Sequence, residues 1–180
     1  MSVKVTKNTV EYPKNQEPNL IIPNEYKPYR YIIGKQGLNP LIAICMNPSA
    51  ARDDKSDRTI NRIINISTKL NYDGWIVFNT YPERATDAVN LGKYNEKLAK
   101  INLGYLRDYI VKHNVKEVWG AWGDLKYEVL NNGKESIINL LNSLGVKIFH
   151  FGTLTTSGNP RHPLQRQESW ERINYCKNYL

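Results

Sequence analysis

The sequence predicts an α/β fold: a three-layer α/β/α sandwich with a mostly parallel central sheet. Two observations carry the prediction. Four short, largely apolar runs, at 41–46, 75–78, 117–122 and 146–151, have the length and composition of buried strands, the first of them apolar throughout. Between them lie segments whose apolar residues recur at helical spacing, and strands that alternate with helices build a parallel sheet covered on both sides. A chain of 180 residues suffices for one domain with a full core. We place that domain at 29–180, behind an N-terminal arm at 1–28.

Prolines at 13, 18, 23 and 28 and a lack of periodicity make the arm an irregular lead-in. Residues 29–34 read as a first, edge strand. The run Leu41-Ile42-Ala43-Ile44-Cys45-Met46 is central and stops at Asn47-Pro48. Asp57 is placed to cap a helix whose Ile60, Ile63, Ile64 and Leu70 share one face. A turn at 71–74 leads into the second buried strand, which ends at Asn79. Asn95 is placed to cap a long helix with Leu98, Ile101, Tyr105, Leu106, Tyr109 and Ile110 inward. The third strand is followed by Asp124, a cap for a short helix. Residues 136–144 read as a further helix, ended by Gly145, and a last helix is expected over 167–179, after the fourth strand.

Two cysteines, Cys45 and Cys176, are too few for a disulfide scaffold and suit a reducing compartment. Residues 1–18 contain no apolar leader, and no apolar run approaches the ~18 residues of a membrane span. The expectation is a cytoplasmic protein with no membrane association and no obligate protein partner. The net charge of +8 suits a polyanionic partner as well as plain solubility. The lysines and arginines are dispersed, so charge alone locates no groove. None of the three histidines pairs with a cysteine at metal-ligand spacing, and there is no Gly-x-Gly-x-x-Gly or Walker loop. No metal and no cofactor are expected.

In open parallel sheets ligands sit beyond the carboxyl ends of the strands, and three polar loops leave those ends here. The first, 47–58, begins with Asn47-Pro48-Ser49. Proline holds this exit rigid and keeps Asn47 extended. Asp53, Asp54 and Asp57 follow closely enough to perturb one another's ionisation, which suits an acid, a base or a metal; for Asp57 alone the ordinary helix cap is the favoured reading, and a solvated turn also accounts for Asp53-Asp54. The second loop carries Asn79, Tyr81, Arg84 and Thr86. An amide at a strand end can read a base edge, and Arg84 can bind phosphate bidentately or pair with Glu83 or Asp87. The third holds Ser157, Gly158, Asn159, Arg161 and His162, small and basic, with amides able to cradle a phosphate. His162, between Arg161 and Pro163, is a functional candidate. His113 and His150 read as surface and strand residues.

Five separated motifs, Met46-Asn47-Pro48-Ser49, Asp53-Asp54, Arg84-Ala85-Thr86, Ala121-Trp122-Gly123 and Pro160-Arg161-His162-Pro163-Leu164, fall in the order of a bacterial and phage domain-of-unknown-function family, which the chain resembles from about Tyr29 to Gln165. More distantly, Cys45-Met46-Asn47-Pro48-Ser49, Phe78-Asn79 and the loops at 83–86 and 156–163 resemble the uracil-DNA glycosylase superfamily, in its mismatch-specific thymine/uracil branch. Cys45 and Ser49 stand where that branch has glycines. The resemblance implies a uracil-DNA-glycosylase-like sandwich and a DNA-acting N-glycosidic hydrolase, on modified or mismatched bases. Asn47 would hold a water, and Asp53 or Asp54 would act as base or counter-charge. Asn79 would read the base, His162 would donate to base or phosphate, and Pro48, Ser49, Tyr81, Arg84, Thr86, Ser157, Gly158, Asn159 and Arg161 would bind substrate. The partner would be DNA or a nucleotide. A non-catalytic nucleic-acid-binding protein, a metal-dependent nucleoside or nucleotide enzyme and a partner-binding domain are the competing expectations.

Overall fold

A computed structural model describes residues 8–175. The arm supplies β1 (Thr9–Val10) and β2 (Leu20–Ile22), followed by β3 (Ile32–Lys35) and β4 (Pro40–Cys45). The short β5 (Ser56–Asp57) runs directly into α1 (Arg58–Lys69). Next come β6 (Gly74–Asn79), α2 (Glu96–His113), β7 (Glu117–Gly120), α3 (Glu128–Ser143), β8 (Lys147–Phe151) and β9 (Arg172–Asn174). One seven-stranded sheet has the order β2-β3-β6-β4-β7-β8-β9, while β1 pairs separately with β5.

The class is α/β, and the sheet is mixed rather than mostly parallel. The central strands β6, β4, β7 and β8 are parallel. The pairs β2–β3, β3–β6, β8–β9 and β1–β5 are antiparallel, four of the seven pairings. Parallel neighbours need a crossover, usually a helix. No helix separates β2 from β3 or β8 from β9, and there the chain folds back. The strand expected at the edge, β3, lies inside, flanked by β2 from the arm and by β6.

Successive strand residues face opposite sides of a sheet, and here both sides are apolar. Leu41, Ala43 and Cys45 of β4 pack with Ile60, Ile63 and Ile64 of α1. Ile42 and Ile44 pack on the other face with Leu106, Tyr109 and Ile110 of α2 and Ile137, Ile138 and Leu141 of α3. Asp57 caps α1, its Oδ1 accepting from Ile60 N at 2.9 Å, and Asn95 caps α2 through Leu98 N at 3.0 Å. Within α2, Ile101 is exposed and Asn102 is buried instead. Asn102 Nδ2 donates to Asn79 O at 3.0 Å, fixing the end of β6.

Three expected helices differ. The one expected at 136–144 begins eight residues earlier, at Glu128. The low helix propensity of Asn131, Asn132 and Gly133 masks that start. Gly133 is there for closeness: a Cβ on it would lie 2.1 Å from Thr80 O, one residue beyond β6. Asp124 caps no short helix: the N-cap of α3 is Tyr127, and Asp124 Oδ1 instead accepts from Thr155 Oγ1 at 2.6 Å and Asn159 Nδ2 at 2.8 Å. The described part of 167–179 contains β9, not a helix; residues 176–179 lie outside the described range. There the Arg172 guanidinium sits 4.0 Å over the Phe149 ring and pairs with Glu117. Among the described residues, no helix is long and apolar enough to cross a membrane.

Candidate functional site

The strand ends bring the first two loops together, and main-chain and side-chain bonds sew them. Thr80 N donates to Cys45 O at 2.9 Å, and Thr80 Oγ1 to Met46 O at 2.6 Å. Asn47 Nδ2 donates to Ala85 O at 2.8 Å and to Pro48 O at 3.0 Å. Both bonds use the amide nitrogen, so Oδ1 remains as a free acceptor among the described residues. Ser49 Oγ reaches Thr86 Oγ1 at 3.3 Å. The third loop is tied in by Arg62 Nε of α1, which donates to Pro163 O at 3.3 Å. Gly123, at φ +69°, leaves room for it: a Cβ there would lie 2.9 Å from His162 Cβ.

These loops enclose a cleft of about 440 Å³, lined among others by Asn47, Ser49, Asp57, Arg58, Thr86, His162 and Leu164. That volume lies within the ~300–1,000 Å³ of small-ligand sites. The arm completes the wall with Asn8 and Val10. It is held there by β1–β5 pairing, by the Lys55–Glu11 ion pair and by Tyr12 OH donating to Arg52 O at 2.6 Å. At the inner end is a chamber of about 30 Å³ lined by Arg30, Cys45, Asn47, Ser49, Asp57, Thr59, Asn79 and His162, with Ile60 and Val77. A water needs ~10–15 Å³, so the chamber holds about two oxygen-sized occupants. A separate cavity of about 350 Å³ opens at the amino ends of β4 and β7, opposite the carboxyl ends beyond which open parallel sheets generally hold ligands.

The chamber is rich in polar groups. Asp57 is buried, and its Oδ2 also accepts from Ala51 N at 3.1 Å. Arg30 is 2% exposed and donates from Nη1 to Ala51 O at 2.7 Å, while its Nε has no partner. Asn79 is 1% exposed, and its Nδ2 likewise has none. Burial pushes the His162 imidazole down from 6.5 to about 4, against an opposing pull from Asp57. It is therefore neutral at neutral pH. Its Nδ1 accepts from Leu164 N at 3.2 Å, which puts the proton on Nε2. Burial pushes the Cys45 thiol up to about 12, so it is no thiolate nucleophile.

Residues 30–164 match the model of the family described as a protein of unknown function, DUF1643, which covers well over half of the chain. The chain belongs to the DUF1643 family. No curated protein and no solved structure matches it.

This DUF1643 protein gathers only some of the residues singled out from the sequence. Asn47, Ser49, Thr86 and His162 line the cleft, Asn79 lines the chamber, and buried Pro48 shapes the exit from β4. Asp53 and Asp54 do not reach either space: both are exposed, and Asp54 pairs with Arg52 at 2.8 Å. Asp57 supplies the carboxylate, because its role as cap holds it inside. Tyr81 is core rather than cleft, stacked on Tyr94, with its OH accepting from Asn95 N at 3.0 Å. Arg84 is turned to the protein, donating from Nη1 to Ser49 O at 2.7 Å and Ala51 O at 2.9 Å, and pairs with neither Glu83 nor Asp87. Ser157 and Gly158 form an exposed turn, closed by Gly158 N to Thr155 O at 2.9 Å. Asn159 is held by Asp124 and Arg161 by Thr153 O at 3.0 Å, so both brace the loop instead of lining the cleft. Among the described residues no group of three or more His, Cys, Asp or Glu gathers for a metal. Arg30 lines the chamber but was not singled out from the sequence. Its signal was an arginine inside the otherwise apolar and aromatic stretch Tyr29-Arg30-Tyr31-Ile32-Ile33, since a cation in a buried strand requires a specific partner.

Proposed function

We propose that this protein hydrolyses the N-glycosidic bond of a nucleotide in DNA, in the manner of the uracil-DNA glycosylases that its loops resemble. The observation that carries the reading is the water-sized polar chamber at the inner end of the cleft, where Asn47, Asp57, Asn79 and His162 meet. The target nucleotide turns out of the stack into the cleft, at a cost of a few kcal/mol. Asn47 Oδ1 and the Asp57 carboxylate accept hydrogen bonds from one water and aim its oxygen at C1′ of the sugar. The C1′–N bond breaks, and its electron pair leaves with the base. The water oxygen bonds to C1′, and its proton passes to Asp57. Positive charge that builds on the sugar is balanced by Asp57. The neutral His162 donates from Nε2 to the base, and Asn79 reads its edge. Net charge of +8 supports attraction to the DNA polyanion, and the resembling branch supports a modified or mismatched base as target.

The test is base release, measured by mass spectrometry, from DNA carrying uracil, mismatched thymine or modified bases. Wild-type protein is expected to release one of them. Asn47→Ala should lose turnover by about 10²–10⁴-fold while keeping DNA binding. The doubly substituted Asp53→Asn, Asp54→Asn protein should turn over normally, because neither side chain reaches the cleft. Salt-sensitive DNA binding without any released base would replace this reading with that of a non-catalytic binder.

A further inference from the structure

Two guanidiniums lie side by side behind the chamber with too little negative charge to balance them. Arg30 Nη1 and Arg84 Nη1 both donate to the same carbonyl, Ala51 O, at 2.7 and 2.9 Å. Neither belongs to an ion pair among the described residues. Each keeps a buried Nε without a partner, and Asn79 Nδ2 is a third orphaned donor. Among the described residues Asp57 is the only carboxylate lining the chamber, and two of its acceptor positions are taken by main-chain amides. Burying a cation without an acceptor is costly, and like charges this close disfavour one another. Burial, and next the Arg30 charge, bring Arg84 down to about 10, still a cation at neutral pH. The deficit is thus one negative charge and at least one acceptor oxygen, in a space that admits an oxygen but not a phosphate group.

We propose that Arg30, with Asn79, forms an oxyanion subsite that takes a single ring oxygen of an acidic heterocycle bound as its anion, with Arg84 adding charge from behind. Identifying that anion with the departing base rests on the hydrolase reading above. A pyrimidine-dione that leaves with the electron pair of the C1′–N bond spreads its negative charge onto its ring oxygens. Donors fixed before the reaction stabilise that charge without reorganising. Arg30 is then a catalytic residue, and the base that fits is one whose anion carries an oxygen at the ring edge.

The test is calorimetric titration of the full chain at neutral pH with barbiturate, an anion there, with uracil, which is neutral, and with inorganic phosphate as competitor. Barbiturate is expected to bind about 10–100-fold more tightly than uracil, the strength of a hydrogen bond to a charged group. Phosphate should not displace it. Arg30→Gln should remove the preference. Asp57→Asn should strengthen barbiturate binding even as it weakens turnover, a reversal that a merely structural role for these residues would not produce. If Arg30→Gln fails to fold by circular dichroism, Asn79→Asp supplies the second arm, and it should abolish the preference by repulsion. Equal affinity for barbiturate and uracil, no barbiturate binding, a preference that survives these variants, or displacement by phosphate would each overturn the proposal. Anion preference without base release from DNA would leave the subsite standing and remove the hydrolase; base release without the preference would do the reverse.

Discussion

Replacing Asp57 with asparagine removes a charge while leaving the shape almost unchanged. In the native protein the two carboxylate oxygens have separate tasks: Oδ1 accepts from Ile60 N at 2.9 Å and Oδ2 from Ala51 N at 3.1 Å. Asparagine caps helices as well as aspartate does, so one orientation preserves the start of α1. Its NH₂ then faces Ala51 N, donor against donor. The other orientation saves Ala51 and strands Ile60. Either way one buried amide loses a charged acceptor, a cost of about 1.5–3 kcal/mol. For a chain of this size each kcal/mol corresponds to about 2–4 °C, so the thermal midpoint should fall by about 3–12 °C. On the proposed mechanism, base release should drop by about 10²–10⁴-fold through loss of the proposed general base. Calorimetric melting and base release on the same preparation check both numbers. A variant that melts with the wild type would refute the account of Asp57 as a doubly bonded buried carboxylate. One that melts early yet turns over normally would remove it from the chemistry.

The depressed His162 gives stability a defined pH dependence. Unfolded, the imidazole takes up a proton near 6.5; folded, it does so only near about 4. Between those values the unfolded chain binds the proton and the native chain does not, so stability falls as pH drops from 6.5 towards about 4, by at most about 3 kcal/mol. Denaturant titrations of wild type and His162→Gln across that interval should show the slope in the first and its loss in the second; parallel curves would contradict the burial of His162. Gly133→Ala opposes two effects of known sign. Helix propensity alone favours alanine by ~1 kcal/mol, whereas the new Cβ would sit 2.1 Å from Thr80 O and force α3 away from the end of β6, an overpacking cost of about 1–3 kcal/mol. The variant should therefore be less stable, and a raised melting temperature would show that this approach is not constrained.

How much was legible in the sequence follows the range of the interactions. The central strands β4, β6, β7 and β8 and the caps Asp57 and Asn95 were readable because apolar runs and capping side chains act on residues a few positions away. The beginning of α3 was not, since Gly133 answers to Thr80, a contact more than fifty residues distant. Nor was β9, whose place is set by pairing with β8 and by the Arg172 contacts with Glu117 and Phe149. The same division runs through the site. Asn47, Asn79 and His162 could be picked out because each stands at the end of a buried run or among residues unsuited to a core. Which carboxylate joins them was beyond the sequence: Asp53, Asp54 and Asp57 are near neighbours in the chain, and only the start of α1 and the β1–β5 pairing turn Asp57 inward and leave the other two in solvent. Residue types and local pattern determined the class of fold and pointed to loops that meet at the cleft. The tertiary structure decided the partners, because a side chain's burial and charge environment are set by segments that its own neighbours in sequence do not specify.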